Sequence, residues 1–303
     1  MYLNYYGLSD NPFSIAPNPD YLFMSNRHQQ ALAHLSYGLN ESGGFVMLTG
    51  EVGTGKTTVS RKLMQELSDD TQTAVILNPT LSALELLATV CDELGIAYEQ
   101  SQASLKGFTD KILQCLASNH EQGINTVLII DEAQHLLPEV LEQLRLLTNL
   151  ETNREKLLKV VLIGQPELQQ LLRRNELRQL AQRITARYHL LPLTKDEVGQ
   201  YVSHRLAVAN GRQKLFSKAA LEHLFSISGG IPRVINLLCD RGLSLAYSLQ
   251  RPFIDHRVMI SASSQVLGQD IVLQRQQHAW KKRYLQVFFL FVLFGLVVGG
   301  WYA

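Results

Sequence analysis

The sequence is poor in cysteine and balanced in charge, and shows no signal-peptide pattern in its first residues. Its three cysteines, Cys91, Cys115 and Cys239, are odd in number and far apart. That argues against a disulfide framework or a cysteine-built zinc site, and it suits a reducing compartment. The nine histidines are scattered, with no pair at ligand spacing from a Cys or carboxylate partner. Charged residues make up 18% of the chain and the formal net charge is +1, so no global electrostatic pull on nucleic acid is expected. The start, MYLNYYGLSDNPFS, has no cationic n-region and no apolar h-region, and is not a signal peptide. Repeats at solenoid spacing and low-complexity tracts are also missing.

What is present is alternation. The 303 residues allow roughly two domains. Residues 1–20 are rich in aromatics, Pro and Asn and read as an extended, turn-punctuated segment. A helical pattern follows at HQQALAHLSYGL. Apolar strands then alternate with amphipathic helices: strands at Gly44–Gly50, Thr73–Pro79, Asn125–Ala133, Leu157–Gln165 and Ala186–Leu193, and helix over 82–120 with a break near Gly95. This pattern predicts an α/β fold with a parallel sheet covered on both faces. After Pro192 the strand signal ends, and residues 194–267 read as several short helices.

The strongest local signal is GEVGTGKT, Gly50 to Thr57, between a buried strand and an amphipathic helix. It matches the phosphate-loop pattern in the context that pattern requires. Glycines at 53 and 55 can take backbone angles that aim N–H groups at phosphate oxygens, and the following helix adds its positive end. The predicted nucleotide-binding residues are Gly50, Glu51, Val52, Gly53, Thr54, Gly55, Lys56, Thr57 and Thr58. Lys56 neutralises phosphate charge, and Thr57 ligates Mg²⁺ through its hydroxyl. In TVLIIDEAQ, Asp131 and Glu132 stand at the C-terminal end of an apolar strand, where open parallel sheets hold ligands. Asp131 is the expected Mg²⁺ carboxylate and Glu132 the candidate to activate an attacking water. One strand lies between the two motifs in sequence, as in NTPases with a strand inserted between the phosphate-loop and Asp strands.

Several stretches together carry a family resemblance: NPF, GFVMLTGEVGTGKTT, LIIDEAQHL, LIGQPEL, LRQLAQRITARYHL and SGGIPRVINLLCDR. In order and spacing they resemble the AAA+ ATPases of the general secretion pathway A and MSHA pilus biogenesis (MshM) type. The resemblance implies a P-loop NTPase (AAA+, ASCE) α/β domain with a C-terminal α-helical lid, ATP and Mg²⁺ as ligands, and ATP hydrolysis. It implies catalytic roles beside Lys56 and Glu132 for three more residues. Gln165 resembles the sensor-1 polar residue and Arg233 the sensor-2 arginine of the lid. Arg183 resembles an arginine finger supplied to a neighbouring subunit, with Arg178 and Arg187 as rivals, so a homo-oligomer is implied. A surface salt-bridge arginine is the competing reading for each. The N-terminal aromatic segment and residues 28–39 resemble the part that packs over adenine, or else form a strap over the sheet edge.

The expected domains are 1–193 (nucleotide-binding, with the N-terminal strap), 194–267 (helical lid), 268–283 (juxtamembrane linker) and 284–302 (transmembrane helix). From Tyr284 to Tyr302 only Gln286 is strongly polar. Such a helix reaches ~28 Å, close to the ~30 Å hydrocarbon core. Lys281, Lys282 and Arg283 place the preceding ATPase in the cytoplasm of a bacterial inner membrane. Gly295 and Gly299 offer a helix-packing face. The chain ends there without the periplasmic region of the secretion-pathway protein, which favours the pilus branch. The expected work is assembly of a type IV, MSHA-like pilus or a type II secretion apparatus, with an inner-membrane assembly protein as partner. A DNA-associated regulator of the transposition type and an ATP-binding scaffold with little turnover are the alternatives.

Overall fold

The computed structural model describes residues 2–268 except 17, 41–43, 78, 100–103, 152–155 and 212–213. In chain order the elements begin with α1 (Tyr2–Tyr6), α2 (Asn26–Asn40), β1 (Phe45–Gly50), α3 (Lys56–Glu66) and β2 (Thr71–Ile76). They continue with α4 (Ala83–Glu93), α5 (Leu105–Glu121), β3 (Asn125–Ile130), α6 (Pro138–Leu147) and β4 (Leu158–Gly164). Next come α7 (Pro166–Leu171), α8 (Arg178–Ala181), β5 (Ile184–Leu190), α9 (Lys195–Val208), α10 (Lys218–Ser228), α11 (Pro232–Ser248) and α12 (His256–Leu267). Two compact units result. One is Met24–Leu191; the other joins Met1–Phe23 to the chain from Pro192 onward.

Met24–Leu191 holds a five-stranded, all-parallel sheet in the order β2-β3-β4-β1-β5. The predicted insertion is real, but its identity differs from the chain order. β4 is the strand that separates β1 from β3, and β2 lies outside β3. The apolar runs explain the burial. Every residue of β1 and all but the first of β3 are buried, and alternate side chains serve opposite faces. Phe45, Met47, Leu128, Ile130, Val160 and Leu162 share one core with α4, α5 and α6. Val46, Leu48, Val127, Ile129, Val161 and Ile163 share the other with α2 and α3. Each fully buried Leu or Ile contributes about 1.5–3 kcal/mol. Close approach is needed where α2 crosses the sheet. A Cβ on Gly38 would come within 2.5 Å of the Ala186 Cβ.

The long helical stretch predicted over 82–120 is two capped helices. Ser82 opens α4 with a reciprocal capping box to Glu85, and Ser104 caps α5 by accepting from the Gly107 N–H. Gly95, at φ +70°, turns the chain after α4. The second strand runs Thr71–Ile76 rather than Thr73–Pro79.

The other unit is helical. Its core unites Val198, Val202, Leu206, Leu224, Ile235 and Leu238 with Tyr6, Leu8, Phe13 and Tyr21. The N-terminal segment, grouped by sequence with the nucleotide-binding domain, is therefore built into this unit through its aromatic side chains. Arg205 adds to the attachment. Its buried guanidinium donates to the Pro12 and Ser14 carbonyls and the Tyr201 hydroxyl, and lies 4.9 Å from the centroid of the Tyr21 ring. Among the described residues no helix is long and apolar enough to cross a membrane. The span expected at 284–302, its cations and the Gly295–Gly299 pair lie outside the described residues.

Candidate functional site

β1 delivers the phosphate-loop sequence at the C-terminal edge of the sheet, and α3 begins at Lys56. The glycines are there for space and angle. Gly53 and Gly55 have φ of +81° and +104°, a region that favours glycine. A Cβ on Gly50 would stand 2.7 Å from the Leu190 carbonyl oxygen. Thr54 closes the loop on itself, its hydroxyl donating to the Glu51 carbonyl at 2.9 Å. Val52 is exposed at the loop tip.

Lys56 is only 7% exposed. Its ammonium lies within the loop, donating to the Gly50 and Glu51 carbonyls at 2.9 and 3.2 Å. Burial pushes its pKa below the ordinary lysine value, against the opposing pull of Glu132, Asp131, Glu51 and Glu167. Thr57 donates from its hydroxyl to Asp131 Oδ2 at 3.2 Å. The sheet brings these residues, 74 positions apart, together at one edge.

β3 ends at Ile130, which puts Asp131 and Glu132 just beyond the strand. Asp131 is 7% exposed, and burial moves its carboxyl pKa upward although the Glu132 N–H and the Thr57 hydroxyl both favour the anion. Glu132 adopts a left-handed φ of +52°, uncommon for a residue with a side chain. Asp131 supports that turn, Oδ1 accepting the Glu132 N–H at 2.8 Å. The Glu132 carboxylate then receives two amides, Gln134 Nε2 at 2.6 Å and Gln165 Nε2 at 3.2 Å. Burial raises the Glu132 pKa, but these hydrogen bonds, with Lys56 and His135 nearby, outweigh it and leave the carboxyl below its usual range.

Gln165 thus contacts Glu132 from the end of β4. Gln134 was not foreseen. Its Oε1 accepts the Gln165 N–H at 3.0 Å while its Nε2 holds Glu132, so one amide clamps both. Gly164 leaves the room, since a Cβ there would lie 2.7 Å from Gln134 Oε1. A signal existed: an amide two residues after a strand-end Glu can fold back onto it. His28 was also missed as an individual residue. It falls on the apolar face of α2 with Ala31, Leu32, Leu35 and Leu39, yet its ring sits against the phosphate loop.

The arginines stand differently. Arg183 donates to the Arg145 carbonyl at 3.1 Å and the Thr148 hydroxyl at 3.3 Å, at the end of α6. Arg187, on edge strand β5, donates to the Ala181 carbonyl, and Arg178 is exposed. Arg233 stands exposed in the first turn of α11, in the helical unit.

The residues fit a magnesium nucleotide on two counts. The loop is a cradle in which added Cβ atoms at Gly50 and Gly55 would collide with neighbours. A hard oxygen pair, Thr57 and Asp131, stands beside a buried ammonium, which is the donor chemistry Mg²⁺ requires.

Residues 39–172 match the family model for the AAA domain. The chain is 58% identical over 268 residues to general secretion pathway protein A of Aeromonas hydrophila, covering 88% of this chain and 49% of that protein. The chain therefore spans about half the length of that relative. Among solved structures, Cdc6p from Pyrobaculum aerophilum aligns with a TM-score of 0.67 at 20% identity, covering 86% of this chain and 72% of that one. The Holliday junction branch migration motor RuvB of Thermotoga maritima aligns at 0.52 and 20% identity, covering 80% and 69%. At such identities these structures speak for the fold alone, an α/β fold built on a parallel sheet.

Proposed function

The chain carries an AAA domain and is related to general secretion pathway protein A, and from that premise we propose that it binds and hydrolyses ATP to support assembly of a secretion or pilus apparatus at the inner membrane. The observation that carries the reading is the convergence of Lys56, Thr57, Asp131, Glu132 and Gln165 at one edge of the sheet. Lys56 and the loop N–H groups hold the phosphates. Thr57 and Asp131 hold Mg²⁺, which offsets phosphate charge when bound. Glu132, ionised and held by two amides, accepts the proton of the attacking water, and Gln165 links that carboxylate to β4.

The helical unit acts as a lid carrying Arg233. Arg183, or its rivals Arg178 and Arg187, completes a neighbouring subunit's site, which makes the active form a homo-oligomer. The anchor is residues 284–302, with Lys281, Lys282 and Arg283 keeping the ATPase on the cytoplasmic side. What supports this part is the sequence pattern and the relative's name. The near-neutral charge weighs against a DNA-associated role.

The test is magnesium-dependent ATP turnover by the full chain in lipid, measured against protein concentration. The turnover per subunit is expected to rise with concentration, and Lys56→Ala is expected to weaken ATP binding at least tenfold, the order set by losing charge-assisted hydrogen bonds of about 1.5–3 kcal/mol. Turnover that stays negligible at every concentration would leave an ATP-binding scaffold and sink the enzyme reading.

A second expectation concerns Gln134. Replacing it with Leu removes the 2.6 Å hydrogen bond to Glu132. The maximal rate is expected to fall about tenfold, since misplacing a reacting group is costly, while ATP affinity stays within about twofold. Equal losses in both quantities would mean instead that Gln134 supports the loop as a whole.

A further inference from the structure

Ser25 and His28 form a buried pair at the start of α2, directly beneath the phosphate loop. His28 is 3% exposed and Ser25 also 3%. The His28 Nδ1 lies 2.7 Å from the Ser25 hydroxyl, and Nε2 lies 3.1 Å from the Thr54 carbonyl oxygen. A carbonyl oxygen can only accept, so Nε2 carries the hydrogen. In the neutral ring Nδ1 is then an acceptor, and the Ser25 hydroxyl donates to it. For the neutral ring the two contacts select the Nε2–H tautomer.

Their consequence falls on a single peptide. No cis bonds occur among the described residues, so the carbonyl of Thr54 and the N–H of Gly55 point in opposite directions across their shared bond. Drawing the Thr54 oxygen toward His28 turns the Gly55 N–H away from it, toward the loop side where phosphate oxygens are to be held. The packing is matched to this. A Cβ on Gly55 would approach His28 Nε2 to 2.5 Å, and Gly55 has a φ of +104°. Gly55 is thus required both by its angle and by the ring beneath it.

We propose that His28, oriented by Ser25, is a positioning residue that sets the Thr54–Gly55 peptide for binding the β-phosphate of a nucleoside di- or triphosphate. The assignment rests on the nucleotide-binding reading above. It differs from a role in covering adenine, because the ring's polar atoms are committed to the loop and to Ser25.

The experiment compares His28→Leu, His28→Gln and Ser25→Ala with the wild-type full chain, measuring affinity for Mg-ATP, Mg-GTP, Mg-ADP and AMP. His28→Leu is expected to weaken the di- and triphosphates about tenfold, the order of one hydrogen bond lost in a preorganised site. AMP affinity and the ATP to GTP ratio are expected to stay as in the wild type. Gln at 28 keeps an N–H donor and is expected to recover part of the loss. Imidazole ¹⁵N shifts of wild-type His28 provide a reading that needs no ligand, and the Nε2–H tautomer is expected. Parallel loss of AMP, a changed base preference, the Nδ1–H tautomer, or unchanged affinities in a folded His28→Leu overturn the proposal. A wild-type chain that binds none of the nucleotides removes the nucleotide reading itself, and the proposal with it.

Discussion

Glu132→Gln is expected to lower ATP turnover by about 10²–10⁴-fold, the range assigned to a positioned proton acceptor, while ATP affinity changes by less than about threefold. The substitution keeps the shape of the side chain. Its carbonyl oxygen can still accept from Gln134 and Gln165, which now hold the carboxylate at 2.6 and 3.2 Å, so the left-handed turn at 132 and the loop around it are expected to persist. What is lost is the charge and the capacity to take a proton. The proposed binding groups are elsewhere, on Lys56, the loop amides and Thr57, so affinity is expected to survive. Single-turnover hydrolysis with radiolabelled ATP, beside an equilibrium binding curve, separates the two quantities. A variant that turns over at the wild-type rate would remove Glu132 from the chemistry. One that has lost binding as well would place it in the support of the loop.

Gly230→Ala is expected to destabilise the helical unit by about 3 kcal/mol or more, and the adjacent Gly229→Ala by only about 1 kcal/mol. Both glycines have positive φ, +61° at 229 and +78° at 230. Gly229 ends α10, and a Cβ there meets nothing within 4 Å, so its cost is the left-handed angle alone. A Cβ on Gly230 would lie 2.0 Å from the Leu193 carbonyl oxygen, 3.0 Å from its carbon and 3.1 Å from its nitrogen. Backbone cannot step aside cheaply here, because the Leu193 N–H donates to the Gly230 carbonyl at 2.9 Å. Hydrogen exchange of the α9–α11 amides is the suitable readout, since a chain of two units need not unfold in one step. Equal protection losses in the two variants would mean that residues 193 and 230 are not in contact.

The phosphate loop was legible because its chemistry is local. Gly50 to Thr57 need particular angles and one ammonium, and a short string of residues encodes them. Asp131 and Glu132 were singled out for a related reason: the run VLII reads as a buried strand, and open parallel sheets hold ligands beyond the C-terminal ends of their strands. Gln134 was not, since its role depends on Glu132 taking φ +52° and on Gly164 leaving space for the amide. Arg183 shows the opposite limit. Dense arginines between 173 and 187 leave spacing undecided, and the partners of the guanidinium, Arg145 and Thr148, lie 38 and 35 positions away at the C-terminal end of α6.

The allegiance of the N-terminal segment is the clearest case. Its Tyr, Phe and Pro content predicts a chain that packs on something, but composition does not say on what. Tyr6, Leu8, Phe13 and Tyr21 enter the helical core, and Tyr2 bonds to Asp240 across 238 residues. By itself the sequence determined the class of fold, the loop and the strand-end acids, because periodicity and motif are properties of neighbouring residues. Tertiary structure alone decided which strand separates β1 from β3, which amides grip Glu132, why a histidine lies under the loop, and where the first residues belong. Those are pairings between distant positions, settled by the geometry of close packing, which no short stretch of sequence contains.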